Sequence, residues 1–127
     1  MTKIKKQLRT LDKSYILYDN LGVPINGIEW DEAKNILNIL EHDLSFATAQ
    51  YVFADPERLK RFDQSEDNIS GEERWQTLGK VGAVLFVVYT ERGENKRIIT
   101  ARPADKTERR SYNGYYHIDG KGWSKAT

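Results

Sequence analysis

Cysteine is absent from the 127-residue chain. That gap removes disulfide-stapled scaffolds, thiolate metal sites and cysteine nucleophiles together. Histidine is nearly as scarce, and His42 and His117 lie far apart with no carboxylate at a metal-ligand spacing, so neither a metal nor another cofactor is expected. No apolar run approaches the ~18 residues that a membrane span needs. The basic N-terminus is not followed by the apolar stretch of a secretory signal, which makes the expected location cytoplasmic. A phosphate-cradling glycine loop, GxSxG and HExxH are also missing, and there is no repeat or low-complexity tract.

With 39% apolar and 31% charged residues, the composition suits one soluble domain spanning residues 1–127. The formal net charge is only +1, but its distribution is uneven. Arg92, Lys96, Arg97, Arg102, Lys106, Arg109 and Arg110 stand against Glu94, Asp105 and Glu108, a local +4. Lys3, Lys5, Lys6, Arg9 and Lys13 make the start basic, and acid gathers at Asp63, Glu66, Asp67, Glu72 and Glu73. Such a chain can offer a local anion site without being adhesive overall.

Residues 1–27 carry little periodicity. "SYILYD" allows a short strand, and "NLGVPING" is rich in turn formers. Asp31 is a good N-cap after the apolar Ile28 and Trp30. Ala33, Ile36, Leu37, Leu40 and Leu44 then follow helical spacing and predict a buried face, with Lys34, Asn38 and His42 along another stripe. Ser45 caps a second helix that buries Phe46, Ala49 and Phe53 and ends at Asp55-Pro56. The period then changes to two, predicting strands over 59–62, 74–78 and 83–91. Val84 to Tyr89 is apolar on both faces, as in a central strand. "KRIITARP" forms the next strand through a hairpin at Gly93-Glu94-Asn95. Asp105 with Glu108 resembles a capping box that opens a last helix to about Tyr112. The expected fold is α+β, with two N-terminal helices, an antiparallel sheet of about four strands and a C-terminal helix.

The chemistry-bearing residues leave alternatives open. His42, beside Glu41 and Asp43, reads as a surface histidine favoured by the helix dipole or as a general acid or base. Lys34 reads as solvated or as part of a site. Arg92, Arg97 and Arg102 either lie in water or pair with Glu91 and Glu94, or they converge on phosphate, which the guanidinium fork matches best. A one-residue slip in the hairpin decides which of Arg92 and Arg97 lies beside Arg102. Trp30, Trp75 and Trp123 read as core or interface residues.

The blocks "EWDEAKNILNILEHDLSF", "AQYVFADP", "GEERWQTLG", "VVYTERG", "RIITAR" and "ADKTERRSY" resemble, in order and spacing, the BrnT family over about residues 28–112. Residues 1–27 are then an N-terminal extension and 113–127 a C-terminal tail. The resemblance implies a ribonuclease toxin of a type II toxin–antitoxin system with a RelE/BarnaseEndoU-like compact fold. It also implies a BrnA-like antitoxin that neutralises the toxin and contacts operator DNA, so that the toxin meets DNA only indirectly. Carried over by position, the family pattern falls on Trp30, Asp31, Lys34, Asn38, His42, Glu72, Arg74, Thr90, Arg92, Arg97, Thr100, Arg102, Glu108, Arg109 and Tyr112. From these, Lys34, His42, Arg74, Arg92, Arg97 and Arg102 are expected to be catalytic, and Asn38, Thr90, Thr100, Arg109 and Tyr112 to bind RNA. The chain departs from the family where lysine-histidine-glycine-valine is replaced by Glu41-His42-Asp43-Leu44, which makes that region less attractive to phosphate. The implied chemistry is metal-free attack of the RNA's 2′-hydroxyl on the adjacent phosphate. The rival is a catalytically degenerate module that only binds antitoxin or RNA.

Overall fold

The computed structural model describes residues 24–65 and 71–127. The possible strand in "SYILYD" therefore lies outside the described residues. The elements in chain order are β1 (Ile28–Trp30), α1 (Glu32–His42), α2 (Phe46–Ala49) running into a 3-10 turn (Gln50–Ala54), β2 (Leu59–Phe62), β3 (Trp75–Val81), β4 (Ala83–Arg92), β5 (Asn95–Pro103), α3 (Lys106–Arg110) running into a π-helical turn (Ser111–Tyr115), and β6 (Ser124–Lys125). The strands form one mixed sheet ordered β1-β5-β4-β3-β2-β6.

The α+β class and the meander from β2 to β5 agree with the sequence expectation, but the described residues form six strands rather than about four, and the sheet is mixed rather than antiparallel. β1 pairs parallel with β5, and β6 adds antiparallel to β2. Both are two or three residues long, too short to show a period of two. The second helix is also brief, its Ser45 cap accepting the Thr48 N–H before the chain tightens into the 3-10 turn. That turn lies so close to the sheet that a Cβ on Gly79 would sit 2.7 Å from Val52 Cβ and 3.0 Å from its carbonyl oxygen. Gly79→Ala is therefore expected to cost about 1–3 kcal/mol, read as a lower denaturation midpoint.

Strand alternation gives the sheet two different faces. On one, Leu85 and Val87 of β4 pack with Phe46, Ala49, Val52, Ile98 and Ala101 under the helices. On the other, Val84 and Phe86 pack with Leu59, Leu78, Ala104 and Trp123, bordered by Tyr112 and Tyr116. β4 is thus covered on both sides over its first half, as its unbroken apolar run requires. A bulge in β5 sets the register, with Val88 opposite Thr100 and Tyr89 opposite Ile98, so Ile99 is the extra residue.

The orientation of α1 overturns the expected buried face. Asn35 and Asn38 are its buried residues, whereas Ile36, Leu37 and Leu40 are 45%, 58% and 43% exposed. The physical reason is the free edge of β5. β1 stops at Trp30, opposite Ile98, leaving the next backbone groups of β5 without a strand partner. Asn38 fills that role: its Nδ2 donates to the Ala101 carbonyl at 2.8 Å and its Oδ1 accepts the Ala101 N–H at 3.1 Å. Nδ2 also donates to the Leu44 carbonyl, while Asn35 Oδ1 accepts the Phe46 N–H. Buried amide demand thus outweighs apolar periodicity. The helix ends at Asp43 in the left-handed region, φ +57°, its N–H bonded to Ile39 O. That geometry suits glycine best, so Asp43 adopts it at a cost in backbone strain.

Candidate functional site

Three rows of side chains cross the sheet face opposite the helices. Arg102, Phe86 and Leu78 form the first, Thr100, Val88, Gln76 and Arg61 the second, and Arg97 and Thr90 begin the third. Arg74 continues that third row just before β3, where its carbonyl accepts the Asp63 N–H. Neighbouring rows are about 7 Å apart, the rise of two strand residues. The C-terminal part of the chain covers the first row through Ala104, Tyr112, Tyr116 and Trp123. It leaves a cleft of about 300 Å³ lined by Asp63, Ser65, Arg74, Gln76, Val88, Thr100 and Arg102.

The two cleft arginines differ in how their charge is spent. Arg102 donates from both terminal nitrogens to Glu108, at 2.9 Å each, and stacks 4.0 Å over Phe86. The bond to Glu108 raises its pKa above the ordinary arginine value, against burial. Glu108 is also the N3 residue of the capping box that starts α3, accepting the Asp105 N–H while Asp105 accepts the Glu108 N–H. Arg102 is thereby fixed to a helix start. Arg74 has no carboxylate within ion-pair distance among the described residues, and its Nε is buried without a hydrogen-bond partner. An unspent guanidinium at a concave surface is poised for an anion.

Asp63 faces these cations. It is buried, and its Oδ1 accepts from the Ser65 N–H at 2.9 Å and from Gln76 Nε2 at 3.0 Å. Gln76 in turn accepts from Arg61 Nε at 2.7 Å. Sequence reading counted Asp63 only as part of an acidic stretch and passed over Arg61 and Gln76. The available signal was the alternation Leu59, Arg61, Asp63 against Arg74, Gln76, Leu78 on facing strands.

The other expected site residues are placed apart from the cleft lining. Arg97 bonds Glu29 on β1 at 2.7 Å, and Arg92 pairs with Glu72 at 3.3 Å. Neither stands beside Arg102, because Thr100 and the bulge intervene. Hydrogen bonds from Asn95 and Arg97 hold the Glu29 pKa below the usual carboxylate range. Thr90 is buried and donates to the Glu73 carbonyl, while Asn38 is committed to the edge of β5. Arg109 donates to the Ala104 carbonyl. Tyr112 donates to Asp55 Oδ2 at 2.5 Å, and burial followed by that bond raises its pKa well above the usual phenol value. Lys34 lies in a hollow at the outer edge of β5 with Leu37, Asn38, Glu41, Ile99 and Thr100, so Thr100 alone borders both it and the cleft. His42 ends α1, with Nε2 3.9 Å from Glu41.

Residues 30–108 match the family model described as the ribonuclease toxin, BrnT, of type II toxin–antitoxin systems. The chain belongs to the BrnT family. No curated protein matches it. The matched span includes all of the cleft lining, from Asp63 to Arg102, and the Glu108 clamp. Arg109 and Tyr112 fall beyond the BrnT match, as do Lys121 and Trp123 of the tail. Among the described residues no group of three or more histidine, aspartate or glutamate side chains could hold a metal ion, and no helix is long and apolar enough to cross a membrane.

Proposed function

We propose that this BrnT-family chain is a metal-independent endoribonuclease toxin, held in check by a BrnA-like antitoxin. The observation that carries the proposal is the unspent Arg74 guanidinium, facing a cleft it shares with Arg102, Thr100 and Asp63. In this mechanism the phosphodiester lies between Arg74 and Arg102, and Thr100 donates a further hydrogen bond. The 2′-oxygen attacks phosphorus as its proton passes to Asp63. The bond to the 5′-oxygen breaks, that oxygen takes a proton from water, and a 2′,3′-cyclic phosphate remains. The pentacoordinate phosphorane gains negative charge on its equatorial oxygens, so fixed cations stabilise it more than they stabilise the ground state.

The acids flanking His42, which suggested a binding-only module, lie at the end of α1 outside the cleft lining. They therefore leave the field around Arg74 to its own neighbours. Lys34 reaches the phosphate only around the β5 edge, as supplementary charge.

Replacing the scissile ribose by 2′-deoxyribose in a short RNA is the direct test. Abolished cleavage with retained binding supports attack by the 2′-oxygen, and continued cleavage rules it out. Asp63→Asn keeps the shape and the acceptor for Ser65 and Gln76 but removes the base. It is expected to lower kcat by about 10²–10⁴-fold with little change in RNA affinity, a split measurable in single-turnover kinetics. For the partner, induction of the gene alone should arrest growth, and co-expression of its antitoxin should relieve the arrest.

A further inference from the structure

A second concavity of about 470 Å³ adjoins the cleft on the same face. Arg61, Gln64, Ser65, Gln76, Lys121 and Gly122 line it, so Ser65 and Gln76 are common to both hollows. Arg61 is held in place in its lining. Its guanidinium stacks 4.1 Å from the centre of the Trp123 ring, its Nε donates to Gln76, and its Nη1 donates to the Lys121 carbonyl at 2.6 Å.

Those bonds use two of five N–H donors. Burial pushes the Arg61 pKa down from the ordinary arginine value, with Glu108, Asp63 and Asp105 acting against it at longer range. A guanidinium titrates so far above neutrality that the group stays charged. Among the described residues no carboxylate is within ion-pair distance of it. Lys121, from the tail beyond the family match, adds an exposed second cation at the rim. Arg61 lies opposite Gln76, and Arg74 is two residues before Gln76, so the two arginines are diagonal neighbours across β2 and β3, about 7–8 Å apart. A single nucleotide unit bridges that separation.

We infer that the Arg61–Lys121 hollow is a subsite for the phosphate of the nucleotide flanking the cleavage position, so that the tail extends the RNA path laid down by the family core. This rests on the cleft of Arg74 and Arg102 holding the scissile phosphate. Single-stranded RNA suits the arrangement, because a backbone-tracking row of cations requires no base sequence.

The test uses the full chain with two sets of oligonucleotides. One set holds a single phosphodiester, and the other extends it by one phosphate on the 5′ or the 3′ side. Binding is measured on all-2′-deoxy versions, which the proposed mechanism cannot cleave, and kcat/KM on the ribose versions. The wild type is expected to bind one of the two extended forms about tenfold more tightly. Arg61→Ala and Lys121→Ala should each lose most of that gain, and Lys121→Ala should bind the short form as the wild type does. Each should also reduce the salt slope on the extended form by about 0.7 per lost contact.

Lys121→Ala keeps the backbone carbonyl that Arg61 uses, so it separates a lost contact from a disturbed tail. Equal binding of short and extended forms by the wild type, or equal losses on both forms in Lys121→Ala, would overturn the subsite. If no oligonucleotide is cleaved, the deoxy binding series still decides the subsite, and only the catalytic proposal fails.

Discussion

Arg74→Ala is expected to lower kcat/KM for RNA cleavage by about 10²–10³-fold while leaving the denaturation midpoint close to wild type. The two halves of that result follow from one fact. In the folded protein the guanidinium makes no ion pair with a described residue, and its Nε lacks an acceptor, so truncation removes little internal stabilisation. In the proposed transition state the same group faces developing negative charge. Arg74→Lys should recover only part of the loss, since an ammonium supplies charge without the planar fork. Arg97→Ala should fall well short of Arg74→Ala, because Arg97 is spent on Glu29 and lies outside the cleft lining. Arg102→Ala is a mixed case: it removes a cleft cation but also strips Glu108, a buried carboxylate, of its bidentate partner. Its activity loss must therefore be read beside its stability. Comparable losses from Arg97→Ala and Arg74→Ala would show that the charge acting on RNA lies at the hairpin end of the sheet.

Asn38→Ala is expected to destabilise the protein by about 3 kcal/mol or more, since it leaves the Ala101 N–H, the Ala101 carbonyl and the Leu44 carbonyl without their partner. For a domain of this size that corresponds to a fall in Tm of roughly 10 °C. Asn38→Asp keeps the acceptor for Ala101 N–H but turns a carboxylate oxygen toward the Leu44 and Ala101 carbonyls, so it should cost at least as much as Asn38→Ala. The sequence expectation assigned Asn38 to RNA binding. A structural role predicts instead that cleavage per folded molecule stays near wild type in both variants. A large rise in KM with an unchanged Tm would restore the binding role.

What the sequence disclosed depended on how local the signal was. The capping box at Asp105 and Glu108, the Ser45 cap and the strand meander are encoded within a few residues, and all are present. The face of α1 was misjudged because its packing is decided by a distant backbone edge, which no hydropathy period records. Asn35 and Asn38 look like ordinary helix-surface amides until Phe46 and Ala101 are placed beside them. The arginines were legible as a group but not individually. Pairing with Glu29, Glu72 or Glu108, or with no described carboxylate, distinguishes them. That pairing depends on the parallel β1, the Ile99 bulge and the close approach of β3. Arg61 and Asp63 were passed over for the same reason: their significance comes from facing Gln76 and Arg74 on the neighbouring strand.

The measurement that tests the central claim most directly is an analysis of RNA ends. Purified wild-type protein and Arg74→Ala, free of antitoxin, are incubated with RNA in excess chelator, and the newly formed 3′ termini are identified. The account predicts 2′,3′-cyclic phosphate termini from the wild type and a rate about 10²–10³-fold lower from Arg74→Ala. Intact RNA with the wild type, or equal cleavage by the two proteins, would contradict it.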